Sequence, residues 1–155
     1  MRRVSVIVVL CCVLWIASFP GGAAPSVGVV AGEMLGGTLG GLLGAAIAVT
    51  AIGEITPHLE PRAARVATVI AGVTLGCGAG AAVGVLGAGR VVDVEGNVTG
   101  CFLGAFAGGL ASTFVEPIFY LLGVREGITE FLGMLSLPIA PAIGAVIGFN
   151  WTRSE

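Results

Sequence analysis

Glycine recurs at every fourth position in the run VGVVAGEMLGGTLGGLLGA, at Gly28, Gly32, Gly36, Gly40 and Gly44. Gly37 and Gly41, continued by Ala45, form a second row beside it. Residues four apart share one face of a helix, so this spacing predicts a helix with a bare ridge along it. In water each helical glycine costs about 1 kcal/mol relative to alanine. A helix with seven glycines between Gly28 and Gly44 would not hold in water. Inside a bilayer the balance changes, because unpaired backbone groups have no water to turn to and helix is nearly forced. There a ridge without side chains lets two backbones approach closely, the small-xxx-small mode of helix association.

Composition points the same way. Only 10% of the 155 residues are charged and 56% are hydrophobic, with a mean hydropathy of +1.06. A soluble domain carries about 25% charged residues to cover its surface. Seven arginines, no lysine and nine acids leave a net charge of −2, so there is no basic face and no nucleic acid is expected as a partner. The 27 glycines have no three-residue period, which excludes a collagen-like chain. The class is a polytopic membrane protein, its first partner the lipid bilayer.

Residues 1–24 read as an export signal, with Arg2 and Arg3 ahead of the apolar run Val4–Phe19 and a breaker at Pro20-Gly21-Gly22. An uncleaved anchor helix is the alternative. The remainder, residues 25–155, reads as one all-α domain of four transmembrane helices, at about 27–52, 66–88, 97–122 and 128–149. The second span repeats the ridge with Gly72, Gly76, Gly80 and Gly84, and the third with Gly96, Gly100, Gly104 and Gly108, continued by Ser112. The fourth has a looser small row, Ser136, Ala140, Gly144 and Gly148, and two prolines, Pro138 and Pro141. Pro57 and Pro61 break the first loop. Pro117 should kink or end the third helix. Trp151 and Arg153 would anchor the end of the fourth span at an interface. An exported N-terminus would place Arg62, Arg65 and Arg125 inside and Arg90 and Arg153 outside, in agreement with the positive-inside rule.

Glu33 and Glu116 are the acids to single out. A carboxylate within a span costs several kcal/mol and is expected to face protein or a watery cavity. Glu33 is in line with Gly37 and Gly41, and Glu116 extends the row from Gly96 to Ser112, so both should point at packed faces. They are candidates for a protonatable or ion-coordinating pair; as plain structure they would be two acids near interfaces, bonded to neighbouring helices.

Other motifs carry less. Gly76-Cys-Gly78-Ala-Gly80-Ala81, with Asp93 and Glu95 about 20 residues on, fits a permissive dinucleotide fingerprint. The helix that fingerprint needs would carry Gly80, Gly84 and Gly87, and the four-residue row already explains these glycines, so no cofactor is expected. Glu54, His58 and Glu60 fall in a proline-broken loop and read as a solvated turn, so no metal is expected. Asn97-Val-Thr99 is a glycosylation sequon that abuts a span and is discounted. Cys11, Cys12, Cys77 and Cys101 have no metal-ligand or disulfide spacing and read as small apolar residues. With His58 the lone histidine, no catalytic constellation forms and no enzyme is expected.

The GxxxGxxxG rows at 28–44, 72–84 and 96–108 resemble glycine-zipper membrane proteins of bacterial envelopes. Gly84-Val-Leu-Gly87, Gly96-Asn97-Val-Thr99-Gly100-Cys-Phe102-Leu and Pro141-Ala-Ile-Gly144-Ala-Val-Ile-Gly148-Phe149-Asn150 resemble small Gly-rich bacterial proteins with a signal peptide and a C-terminal GAxIG(F/Y)N ending. The resemblance implies a multi-pass protein of the bacterial envelope, the inner membrane before the outer, and brings no catalytic residues. Two functional expectations stand together. One is a structural or assembly component, oligomeric or part of a larger complex, whose helices cross near −40°. The other is a small channel, holin-like pore or transporter using Glu33 and Glu116.

Overall fold

The computed structural model describes residues 26–151, and within them every regular element is helical. The helices are α1 (Val27–Ile55), α2 (Arg62–Val91), α3 (Val98–Ser112), α4 (Val115–Leu121) and α5 (Glu126–Asn150). A 3-10 turn at Thr56–His58 follows α1. The export signal or anchor expected over residues 1–24, and Arg153, lie outside the described residues. Four segments are long and apolar enough to cross a membrane: Val27–His58, Arg62–Val91, Val98–Leu121 and Glu126–Asn150. The chain is an all-α, multi-pass membrane protein.

The prolines explain where helices end. Pro57 has no N–H to continue the α-helical ladder, and α1 tightens into the 3-10 turn there. Pro61 opens α2 in an extended conformation, beside an exposed ion pair between Arg65 Nη2 and Glu60 Oε1 at 2.8 Å. The third span is broken at Thr113-Phe114 rather than at Pro117 itself. A proline clashes with the carbonyl four residues earlier, which for Pro117 is that of Thr113. The backbone there switches to shorter bonds, Thr113 N to Leu110 O and Phe114 N to Ala111 O. Pro138 and Pro141 leave α5 running but remove the donors that Met134 and Leu137 carbonyls would have met. The fingerprint-like Gly76–Ala81 stretch lies in the middle of α2, with no strand before it, so the dinucleotide reading has no fold to rest on.

α1 lies antiparallel along α2, and α3 antiparallel along α5. The two pairs close on one another through α1–α5, α2–α3 and α2–α5 contacts. Side-chain size is inverted relative to a soluble bundle. The core joins Ala82, Val85, Cys101, Ala105, Ala145, Val146 and Phe149, whereas Leu35, Leu39, Leu43, Ile47, Leu103 and Leu110 are exposed. In water such a surface would aggregate; in a bilayer it meets lipid. Large side chains gain nothing by turning inward, because acyl chains are as apolar as leucine, and close backbone packing is what remains to hold helices together.

Candidate functional site

The glycine rows face one another across both helix pairs. A Cβ built on Gly40 would overlap the Gly80 carbonyl oxygen, and one on Gly80 the Gly40 oxygen. Gly36 meets Gly84 and Gly44 meets Gly76 in the same way. In the other pair Gly100 lies against Gly148, Gly104 against Gly144, and Gly108 against Ala140. Gly72 instead faces the Ile52 side chain, and Gly96 faces the Phe149 ring. Among the described residues Gly28 and Gly32 meet nothing within 4 Å, and the ridge expected along α1 is engaged there from Gly36 onward. Their antiparallel partners would be Ala88, which carries a methyl, and Val92, which is beyond the end of α2.

The second row of α1 turns toward α5. Glu33, Gly37 and Gly41 are all buried, with Gly37 against Val85 and Ala142 and Gly41 against the Pro138 backbone. The missing side chains at 37 and 41 bring α5 close enough for its last turn to reach Glu33. Glu33 is wholly buried, 0% exposed. Its Oε2 accepts a hydrogen bond from Asn150 Nδ2 at 2.7 Å, and the same nitrogen donates to Val146 O at 2.9 Å. A buried carboxylate is costly unless hydrogen-bonded, and the amide supplies a bond across 117 residues of chain. Asn150 is the site residue that sequence reasoning missed. Its signal was a polar side chain in the last turn of an apolar span, after Gly148-Phe149.

Glu116 is elsewhere. It lies in the first turn of α4, is exposed, and rests its carboxylate on Gly133. Glu116 thus does face a neighbouring helix, but as an exposed residue, since after the break at Thr113-Phe114 it no longer continues the Gly96–Ser112 row. The pairing of Glu33 with Glu116 is corrected. Antiparallel packing puts residue 33 at the end of the bundle where α5 finishes, while Glu116 follows α3 at the opposite end. The structure does not bring the two acids together.

The remaining candidates are structural. Asn97 Oδ1 accepts from Gly100 N at 2.8 Å, capping α3, and Asn97 N donates to Phe149 O at 2.8 Å, fastening α3 to the end of α5. Cys77 and Cys101 are buried free thiols, and Cys101 Sγ donates to Ala82 O at 3.6 Å. Glu54, His58 and Glu60 are exposed around the first loop. Among the described residues no three His, Cys, Asp or Glu side chains gather as metal ligands would.

No protein-family model, curated protein or solved structure matches the chain.

Proposed function

We propose that the chain is a structural or assembly component of a bacterial envelope membrane, the inner membrane before the outer, working as a glycine-zipper scaffold within an oligomer or a larger complex. The observation that supports this reading is the closeness of the backbones. Along α1–α2 and α3–α5 there is no room for a Cβ at Gly40, Gly80, Gly104 or Gly144. Where a methyl does not fit, a hydrated ion does not pass. Glu33 is wholly buried and bonded to Asn150, as a group that fixes packing would be. Among the described residues nothing lies within 4 Å of Gly28 and Gly32, so the first two turns of the ridge are open to a further helix.

Two measurements test the proposal. Photocrosslinking in the membrane from position 28 or 32 should give adducts larger than the chain, and their absence would remove the assembly reading. Liposomes containing the purified protein should leak protons and alkali cations no faster than empty ones at pH 5 and at pH 8. A pH-dependent leak abolished by Glu33→Gln would put the channel reading in its place.

A further inference from the structure

At the end of the bundle that holds Glu33 and Asn150, the turn between α2 and α3 borders a cleft of about 450 Å³, within the usual size range of small-ligand pockets. Leu86, Val94, Val98 and Phe149 make an apolar wall, while Arg90, Asp93 and Glu95 supply charge. Asp93 turns the chain sharply, with φ 57°, and Val94 N donates to Gly89 O at 2.9 Å, so the turn is folded back on α2. One cation and two acids share this cleft, yet the described residues show no hydrogen bond or ion pair from the side chains of Arg90, Asp93 or Glu95. In a chain with so few charges, three that line one cleft without joining one another are placed to meet something else.

Depth identifies what that is. Arg62 and Arg90 are 28 residues apart on α2, about 42 Å at 1.5 Å per residue. That is close to the full thickness of a bilayer with its headgroups, about 40–45 Å. Arg90 therefore stands at headgroup level. Trp151, exposed just beyond α5 at the same end, is a residue type that concentrates at that level.

We propose that this cleft binds the headgroup of a zwitterionic phospholipid bearing a primary ammonium. The Arg90 guanidinium takes the phosphate, Asp93 and Glu95 take the ammonium, and the acyl chains run down the wall of Leu86, Val94, Val98 and Phe149. A primary ammonium offers three N–H donors to two carboxylates. A quaternary choline offers none and is recognised by aromatic cages, and here Phe149 is the one aromatic in the wall. An anionic headgroup would face two acids against one arginine and be disfavoured.

The test is native mass spectrometry of the full chain released from nanodiscs holding equal parts phosphatidylethanolamine, phosphatidylcholine and phosphatidylglycerol. The wild type should retain phosphatidylethanolamine about tenfold over phosphatidylcholine, the scale of one charge-assisted hydrogen bond. Equal retention would overturn the proposal without need of any variant. Asp93→Asn with Glu95→Gln should abolish the preference, and asparagine tolerates the left-handed backbone at 93. Arg90→Gln should lower retention of every phospholipid, because the phosphate is common to them. Arg65→Gln, at the opposite end of α2, should change neither. A preference that survives the double acid variant overturns the assignment. So does displacement of the lipid by soluble glycerophosphoethanolamine at concentrations below the lipid's own, which would make the ligand a free zwitterion.

Discussion

Replacing Gly80 by alanine tests the packing of α1 on α2 at one of its close backbone contacts. A Cβ on Gly80 would overlap the Gly40 carbonyl oxygen and stand 2.8 Å from the Gly40 carbonyl carbon and 3.0 Å from Gly44 Cα. All three are backbone atoms, so no side chain can swing away. Carbon atoms settle at about 3.5–4.0 Å, and a radial gap of about 0.5–1 Å already forfeits a quarter to a half of each contact's attraction. Overpacking of this kind costs about 1–3 kcal/mol, and two rigid helices put the cost at the upper end. Helix propensity returns up to about 1 kcal/mol, leaving a net loss of about 2 kcal/mol. Gly32→Ala is the matched control, since among the described residues nothing lies within 4 Å of its Cβ position; it should be neutral, or stabilising by up to about 1 kcal/mol. The two variants should therefore differ by up to about 3 kcal/mol, roughly a hundredfold in an opening equilibrium. Cys77, 1% exposed on α2, reports that opening. In a Cys11→Ser/Cys12→Ser background in mild detergent, maleimide should label Cys77 far faster in Gly80→Ala than in Gly32→Ala. Equal rates would mean that the backbones do not meet there, and the reasoning would fail.

Two further outcomes follow from the same contacts. Asn150→Ala removes the Nδ2 donor to Glu33 Oε2 and Val146 O, a loss of about 1–3 kcal/mol that should speed labelling of buried Cys101 about tenfold or more. Glu33→Gln keeps the volume and an oxygen acceptor and should label much like the parent; Asn150→Ala labelling no faster than the parent would show that the amide does not hold this end closed. Pro117→Ala restores an N–H within reach of the Thr113 carbonyl, so hydrogen exchange across residues 113–118 should slow about tenfold. Unchanged exchange would place the cause of the break elsewhere.

Much of this architecture can be read from spacing, because in lipid a row of small residues leaves few alternatives to a helix. The face of α1 that carries Glu33 follows from Gly37 and Gly41, one and two turns further along. What lies opposite does not. Asn150 reaches Glu33 only because α5 returns antiparallel and ends at that depth, and nothing local to either residue states this. Glu116 shows the reverse failure. Its row from Gly96 is continuous on paper, but a proline acts four residues upstream of itself, and the interruption at Thr113-Phe114 leaves the acid exposed beside Gly133 rather than buried in the row. The cleft beside Arg90 was equally illegible, since it is made by a turn folding back and by Phe149 from another helix.

A ladder that repeats every four residues nearly matches itself after one turn, and this leaves its register open. Sliding α1 by four residues, about 6 Å, would set Gly36 against Gly80, Gly40 against Gly76 and Gly44 against Gly72, again glycine on glycine. The rungs alone do not choose between the two alignments. The choice falls to the few groups that are not small. Ile52 lies over Gly72, Phe149 sits against Gly89 and Gly96, and Glu33 reaches Asn150. A single polar contact in an apolar seam is a known way to fix alignment in paired helices. In this bundle the glycines set how near the helices come, and the buried acid helps set where along each other they stop.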